Sequence, residues 1–352
     1  MKTKIIQGAN LLAVGVALAL AACGGGGGGG GSGGGTASVP VTPAPVTPVT
    51  DANAQVPLAP APTYLAASGN AAVYTEVNTV RSSIGSGQLT QNAPLDAAAL
   101  AHWNYINTDD GSLLKSHTET AGVAGFTGVD PTARALAAGY RGVVAESMFG
   151  QNLAADAWGS CADAWANSVY HVAVLFSNAR DIGMAAGTTK AYPAYGKYTV
   201  CVLEVGVATG AAEQLPPEGT VRVYPYAGQT GVPLVFFNHT ESPTPLPAFA
   251  ELGAPISLNF KAKPATTAPA IIISVLNVAP TAGGGALDVR ILVNNMASNG
   301  PAVTPDSNQD IYTATLVPTA RLTASTSYTV TFAGTVNGKA AAKSWSFTTA
   351  AN

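Results

Sequence analysis

The hydrophobic periodicity of this chain changes once, and the change divides the sequence into two parts that must fold differently. Up to residue 176 apolar side chains recur at helical spacing, as in the run Ala71, Val73, Val77, Val80 and Ile84. From Tyr198 to Val207 β-branched residues alternate instead, and beyond Pro216-Pro217 no strong helical pattern returns. The sequence therefore predicts an α+β protein in which a helix-rich part precedes an all-β part.

Four helices are predicted in the first part. The first two cover residues 71–84 and 95–106, where the apolar positions repeat every three to four residues. Asp130 and Pro131 have the residue types of an N-cap and of a first helical position, so they should begin the third helix. The fourth prediction is one continuous helix over Ala162–Phe176.

Eight short segments of the second part are rich in β-branched and aromatic residues and are separated by turn residues. They are Val221–Tyr224, Pro233–Phe237, Ile256–Phe260, Ile271–Val278, Leu287–Val293, Ile311–Leu316, Tyr328–Phe332 and Ala341–Thr348. Asn337-Gly338, between the last two, is a dipeptide that favours a tight hairpin. Eight strands at this spacing fit a β-sandwich. We therefore predict two domains, over residues 64–214 and 215–352, with a boundary near Gln214–Glu218.

The first 22 residues have the layout of an export signal. Lys2 and Lys4 form a basic start, and the apolar run from Leu11 to Ala22 is too short to span a bilayer as a helix. Ala22 followed by Cys23 resembles the lipobox of bacterial lipoproteins. The resemblance implies cleavage before Cys23 and acylation of that residue, whose acyl chains would hold the protein on a membrane. An ordinary secretory signal with a coincidental cysteine is the alternative.

Residues 23–63 are predicted to form the lipid anchor and a tether. Gly24–Gly35 is glycine apart from Ser32, and residues 39–62 are rich in Pro, Thr, Val and Ala. The glycine part should be a flexible coil and the proline part a stiffer spacer, and neither can bury a core. Glycine rather than aspartate after the lipobox cysteine favours the outer membrane of a Gram-negative cell. The predicted location is therefore the bacterial cell envelope.

The charge balance argues against a nucleic-acid partner. The chain has 16 basic and 19 acidic residues, a net charge of -3 and no basic cluster. Charged residues make up only 10% of the chain, against about 25% in an average protein. Its surfaces must therefore use Ser, Thr, Asn and Gln, as is common in exported proteins.

Two cysteines remain once Cys23 is assigned to the anchor. In an exported chain an even pair indicates a disulfide, so Cys161 and Cys201 are predicted to be bonded. Two free thiols are the alternative. A zinc site built on these cysteines is disfavoured because the C-x-x-C spacing is missing.

Five motifs of the first part occur in a characteristic order. They are Glu76-x-Asn78-x-x-Arg81, Leu95-x-x-Ala98-Ala99-x-x-His102, Ser116-His117, Ala145-Glu146-Ser147 and Trp165-x-x-Ser168-x-x-His171. Together they resemble CAP domains, the group of cysteine-rich secretory, antigen 5 and pathogenesis-related proteins. The resemblance covers about residues 66–207. It implies an α-β-α sandwich whose cleft gathers two histidines and one or two glutamates.

By this resemblance His117 and His171 match the two histidines, and Glu146 matches the first glutamate. The second glutamate position falls at Ser168, a departure that weakens any mechanism requiring paired carboxylates. Glu119, close to His117, is the best substitute carboxylate. His102 is interpreted as a packing residue of the second helix.

Two chemistries remain open for these residues. The imidazoles of His117 and His171, with the carboxylate of Glu146, can hold a divalent metal such as zinc and leave one position open. The same groups can instead satisfy one another by hydrogen bonds in a buried polar network. A serine triad built from Ser147 or Ser168 with His171 and Asp163 is disfavoured, because no nucleophile-elbow motif is present.

The end of the second part has a resemblance of its own. Pro318-x-x-x-Leu322-x-x-x-Thr326-x-Tyr328-Thr329-Val330, followed by Trp345-Ser346-Phe347-Thr348-Thr349, resembles bacterial Ig-like domains of cell-surface proteins. Strand alternation places Tyr328 and Val330 on one face, where they would fill a sandwich core. The resemblance implies a module that spaces, supports or adheres.

Three functions follow as expectations. The first is a non-enzymatic envelope lipoprotein whose CAP domain binds a lipid, cell-wall or protein ligand and is braced by the Ig-like domain. The second is a metal-assisted hydrolase, with Glu146 as general base and His117 and His171 as metal ligands. The third is a structural adhesin with no active cleft. The missing second glutamate favours binding over catalysis.

Overall fold

The computed structural model describes residues 51–108, 116–151, 159–192, 196–261, 269–294, 297–298, 300–301 and 303–351. The predicted signal peptide, Cys23 and most of the tether lie outside the described residues. Within those ranges, every helix is too short or too polar to span a bilayer.

Among its described residues, the N-terminal part forms five helices. They are α1 (Gly69–Ser83), α2 (Ala93–Thr108), α3 (Pro131–Ala137), α4 (Gly159–Ala166) and α5 (Val172–Phe176). The predictions for α1 and α2 are confirmed within a few residues. At α3, Asp130 is the N-cap, and its carboxylate accepts a hydrogen bond from the Ala133 backbone N–H at 2.8 Å.

The prediction of one continuous helix over Ala162–Phe176 is wrong. The chain leaves the helix after Ala166 and re-enters it at Val172. Ser168 Oγ donates to the Trp165 carbonyl and accepts from the Val172 N–H, so a side chain takes the place of the helical backbone bonds. The break places Val169, Tyr170 and His171 in a short connection between α4 and α5.

A four-stranded sheet lies between two helical layers. Its strands, in spatial order, are β1 (Thr90–Gln91), β3 (Asp181–Thr188), β4 (Thr199–Ala208) and β2 (Gly142–Gln151). β4 pairs antiparallel with both β2 and β3. Apolar residues of α1, α4 and α5 pack on one face, and apolar residues of α2 and α3 on the other. The predicted α-β-α sandwich is therefore present, although only β4 was expected from its alternation.

The predicted disulfide is confirmed. Cys161 in α4 is bonded to Cys201 in β4, with Cα atoms 6.4 Å apart. Both residues are buried in the core formed by α1, α4, α5 and the sheet. The bond therefore links one helical layer to the centre of the sheet.

The C-terminal part is a sandwich of two sheets. One contains β12 (Val303–Pro305), β10 (Val289–Val293), β13 (Thr313–Pro318), β8 (Ile256–Asn259) and β5 (Arg222–Tyr224). The other contains β11 (Ala297–Ser298), β9 (Ile271–Pro280), β14 (Ser327–Val336) and β15 (Lys339–Thr348). Both sheets contribute to one apolar core. The hairpin at Asn337-Gly338 is confirmed, since both residues have the positive φ of a tight primed turn.

A small two-stranded sheet lies at the junction of the two parts. It consists of β6 (Phe236–Phe237) and β7 (Glu251–Leu252), with a single 3-10 turn, Asn238–Thr240, after β6. The prediction of a strand over Pro233–Phe237 is thus reduced to its last two residues. The predicted boundary near Gln214–Glu218 remains a prediction, and it lies just before β5.

Candidate functional site

Glu146 and His117 form the first of two carboxylate–imidazole pairs. Glu146 lies on β2, on the face covered by α2 and α3, and its side chain is only 1% exposed. Its Oε1 is 2.8 Å from Nδ1 of His117, whose side chain is 39% exposed. His117 lies on the connection that follows α2. The carboxylate is therefore at the base of the site and the imidazole at its surface.

His171 and Glu241 form the second pair. Nδ1 of His171 is 2.9 Å from Oε1 of Glu241, and the side chains are 21% and 2% exposed. The same oxygen accepts the backbone N–H groups of Tyr170 and His171, and Oε2 accepts that of Val169. Glu241 therefore satisfies three backbone donors of the connection that leads into the N-terminus of α5.

The two imidazoles lie side by side. Their ring centroids are 6.2 Å apart with an angle of 26° between the ring planes. A carboxylate oxygen accepts hydrogen bonds, so each ring must carry its proton on Nδ1 when neutral. Among the described residues no hydrogen bond engages Nε2 of either ring. In their neutral forms, His117 and His171 therefore each have an Nε2 without a proton, and the two rings are neighbours.

A second, buried layer of charges supports Glu146. Arg134 of α3 donates from Nη2 to Glu146 Oε2 at 2.6 Å and from Nη1 to the His117 carbonyl at 3.1 Å. Behind it, His102 contacts Glu119 Oε1 through Nδ1 and the Ser116 carbonyl through Nε2, each at 2.9 Å. Both ring nitrogens of His102 are therefore engaged by oxygen atoms. His102 is thus part of a polar network and not only a packing residue.

Glu204 of β4 lies directly opposite Glu146 of β2. Burial, together with the neighbouring Glu146, raises the pKa of Glu204 well above its usual range. Burial alone would also raise the pKa of Glu146, but the His117 hydrogen bond and the charges of His102 and Arg134 outweigh it and hold that pKa below its usual value. The two shifts place the negative charge on Glu146 and the proton on Glu204, whose two side-chain oxygens have no hydrogen-bond partner among the described residues.

The other predicted residues lie away from the imidazole pair. Glu119, the expected substitute carboxylate, is buried and accepts from the Thr127 and Gly128 N–H groups as well as facing His102. Ser168 is engaged with the backbone of its own helix break. The partner of His171 is Glu241, so the disfavoured serine triad is not assembled around that ring.

Sequence reasoning missed three site residues, Arg134, Glu204 and Glu241, and no motif or spacing marks Glu241. It is separated from His171 by 70 positions. Glu204 carried a visible signal, since it is the only charged residue in the apolar run of β4. A carboxyl group in such a run is expected to be buried and perturbed.

The donor set of the imidazole pair fits a divalent cation in part. Metal-bound histidines generally donate their other ring N–H to a carboxylate, as His117 and His171 do here. In the part of the chain that the structure describes, however, no three His, Cys, Asp or Glu side chains are grouped as a metal site needs. The protein thus offers two nitrogen ligands, and a closed structural zinc site uses four protein ligands.

Two family models match the chain. Residues 74–203 match the cysteine-rich secretory protein family, CAP, and residues 254–349 match a bacterial Ig-like domain. No significant match was found among curated proteins or among solved structures. His117, Glu146 and His171 fall inside the first matched range, whereas Glu241 falls between the two.

Proposed function

Since the chain carries a CAP domain followed by a bacterial Ig-like domain, we propose that it is a non-enzymatic binding protein of the bacterial cell envelope. Domains of these two types together support a surface-type binding module. The ligand is held at the His117–His171 pair, and the lipid anchor on Cys23 presents the module at the outer membrane. The lipobox-like sequence ending at Cys23 is the basis for the anchor.

One observation favours ligand binding over catalysis: the carboxylates beside the two imidazoles, those of Glu146 and Glu241, already accept hydrogen bonds on both of their oxygens. The two oxygens of Glu146 are taken by His117 and Arg134, and the side chain is almost fully buried. The two oxygens of Glu241 accept three backbone N–H groups and His171. A general base must reach the proton that it abstracts. These carboxylates instead fix the rings, and the rings face the ligand.

The paired Nε2 atoms define the chemistry of the ligand. An unprotonated imidazole nitrogen accepts a hydrogen bond or coordinates a cation. Zn²⁺ is the cation that two carboxylate-supported imidazoles suit best, and when bound it would attract an anionic group of a lipid, cell-wall or protein ligand. Without a cation, the same atoms accept hydrogen bonds from hydroxyl or ammonium groups.

The metal-assisted hydrolase remains the second candidate, because two imidazoles on a cation would leave coordination positions for water. Against it stands the engagement of Glu146, the expected general base, with Arg134 and His117. The structural adhesin is less well supported. It assumes an inactive cleft, whereas in this site a buried carboxylate fixes each of the two imidazole rings.

Calorimetric titration with Zn²⁺, combined with peptidase and esterase assays, tests the proposal. We expect binding to the wild-type protein, its loss in His117→Gln and in His171→Gln, and its retention in His239→Gln, which changes an exposed histidine. No hydrolysis is expected with or without Zn²⁺. Hydrolysis that disappears in Glu146→Gln while the fold is intact would overturn the proposal, as would Zn²⁺ binding that survives both histidine changes.

A further inference from the structure

Glu241 completes the site from outside the CAP range. It lies between the two matched ranges, on the segment that joins β6 to β7. We infer that the C-terminal module contributes directly to the binding site through Glu241. Glu241 is a positioning residue that fixes the proton and the orientation of His171. The consequence for ligand affinity rests on the proposed function, whereas the consequence for the ring itself does not.

The contacts of Glu241 give the physical reason. Its carboxylate accepts the backbone N–H groups of Val169, Tyr170 and His171 at 2.7–3.2 Å and the His171 Nδ1–H at 2.9 Å. The acceptor on one side of an imidazole decides which nitrogen keeps the proton. Without a carboxylate at position 241, the proton of His171 can move to Nε2. A protonated Nε2 can neither coordinate a cation nor accept a hydrogen bond.

The position of Glu241 is set by the C-terminal sandwich. Phe236, Leu246 and Leu252 of its segment are buried against Leu292 of β10 and Val317 of β13. Within the segment, the side chain of Asn238 donates to the Leu246 and Phe249 carbonyls and accepts the Leu246 N–H. The hydrogen bonds of the buried Asn238 side chain fix the conformation of the segment between β6 and β7. Because this segment packs on the C-terminal sandwich, the position of Glu241 depends on that sandwich.

The connection between α4 and α5 is bound to the same module at three successive residues. Val169 joins the apolar cluster of Phe236 and Leu252. Tyr170 donates its hydroxyl to Asp306 Oδ2 at 2.7 Å, and His171 is bonded to Glu241. His117, in contrast, depends on Glu146 and Arg134 of the CAP domain. The two halves of the site are therefore supported by different modules.

Ring tautomers measured by ¹⁵N NMR at a pH where the imidazoles are neutral test the inference directly. In the wild-type protein we expect His171 to carry its proton on Nδ1, and in Glu241→Gln we expect a shift towards Nε2. His117 should keep its tautomer in that variant. Glu251→Gln, an exposed change on β7 of the same segment, is the matched control and should leave both rings unchanged. Glu241→Asp, which keeps a carboxylate, should largely restore the wild-type state of His171.

Zn²⁺ titration of the same proteins measures the consequence for binding. Loss of a carboxylate that supports a metal-bound histidine lowers affinity by about 10–100-fold, and we expect that loss in Glu241→Gln but not in Glu251→Gln. His171 with its proton on Nε2 in the wild-type protein would overturn the inference, even if Glu241→Gln failed to fold. So would a tautomer unchanged by Glu241→Gln. A wild-type protein that does not bind Zn²⁺ would count against the proposed cation, while the tautomers would still decide the role of Glu241.

Discussion

Glu146 and Glu204 lie opposite each other on β2 and β4, and their surroundings hold them in different protonation states. Arg134, His102 and His117 all surround Glu146, whereas neither oxygen of Glu204 has a hydrogen-bond partner among the described residues. Ionising the second of two adjacent buried carboxyl groups has a high free-energy cost. Glu204 keeps the proton, and Glu146 keeps the charge that orients His117.

This relationship predicts that Glu204→Gln stabilises the protein at neutral pH. Because the folded-state pKa of Glu204 is raised, its contribution to stability is complete below the ordinary glutamate pKa of about 4.3 and is lost as the pH rises through the folded-state value. Glutamine is close in shape to a protonated glutamic acid and does not titrate. The advantage of the variant should therefore grow with pH, by about 1.4 kcal/mol for each pH unit between the two pKa values.

Urea unfolding of the wild-type protein and Glu204→Gln between pH 4 and pH 8 measures this difference. Glu251→Gln, at an exposed position of β7, is the control and should show no such trend. A free-energy difference between Glu204→Gln and the wild-type protein that stays constant with pH, or that moves in the opposite direction, would refute the assignment of the proton to Glu204.

The disulfide should contribute substantially to the stability of the CAP domain. Cys161 and Cys201 are 40 positions apart, and closing a loop of that length stabilises by about 3–4 kcal/mol when the effect is treated as lost chain entropy. Replacing both cysteines by serine should lower the free energy of unfolding by that amount, as measured with urea. Labelling of both thiols in protein prepared without reductant would contradict the bond.

The anchor prediction concerns residues outside the described part of the chain. If Cys23 is acylated, the mature protein should begin at that residue, carry the mass of its acyl chains and partition into detergent. Cys23→Ala should release the protein from the membrane or stall its maturation. Mass spectrometry that finds an unmodified N-terminus at another position would exclude the anchor.

Local sequence signals were sufficient for part of this fold. Asp130 and Pro131 identified the start of α3, and Asn337-Gly338 identified the last hairpin, because each acts through its own backbone neighbours. β3 was missed because small residues replace the usual branched ones. At Gly183, for instance, an added Cβ would lie 2.1 Å from the backbone of Leu95 in α2. The close packing of α2 on the sheet thus removed the alternation that predicts a strand.

The site itself was predictable only where its residues belong to motifs. The histidines and Glu146 were identified by resemblance, and the structure brings their side chains together. The break between α4 and α5 was not predicted, although Ser168 supports it locally by bonding to Trp165 and Val172. The carboxylate beside His171 was not predicted because Glu241 is 70 positions away in the sequence. Contacts of that range depend on how the C-terminal sandwich packs, and no local pattern encodes them.

Anomalous diffraction at the zinc edge, from crystals of the protein soaked in Zn²⁺, tests the central claim most directly. The account predicts one strong peak shared by Nε2 of His117 and Nε2 of His171, at about 2.0–2.1 Å from each atom. Glu146 and Glu241 should remain on the Nδ1 atoms, as they are without the cation. A peak bound by the carboxylates instead, or no peak between the two rings, would contradict the assignment of the imidazole pair as the binding group.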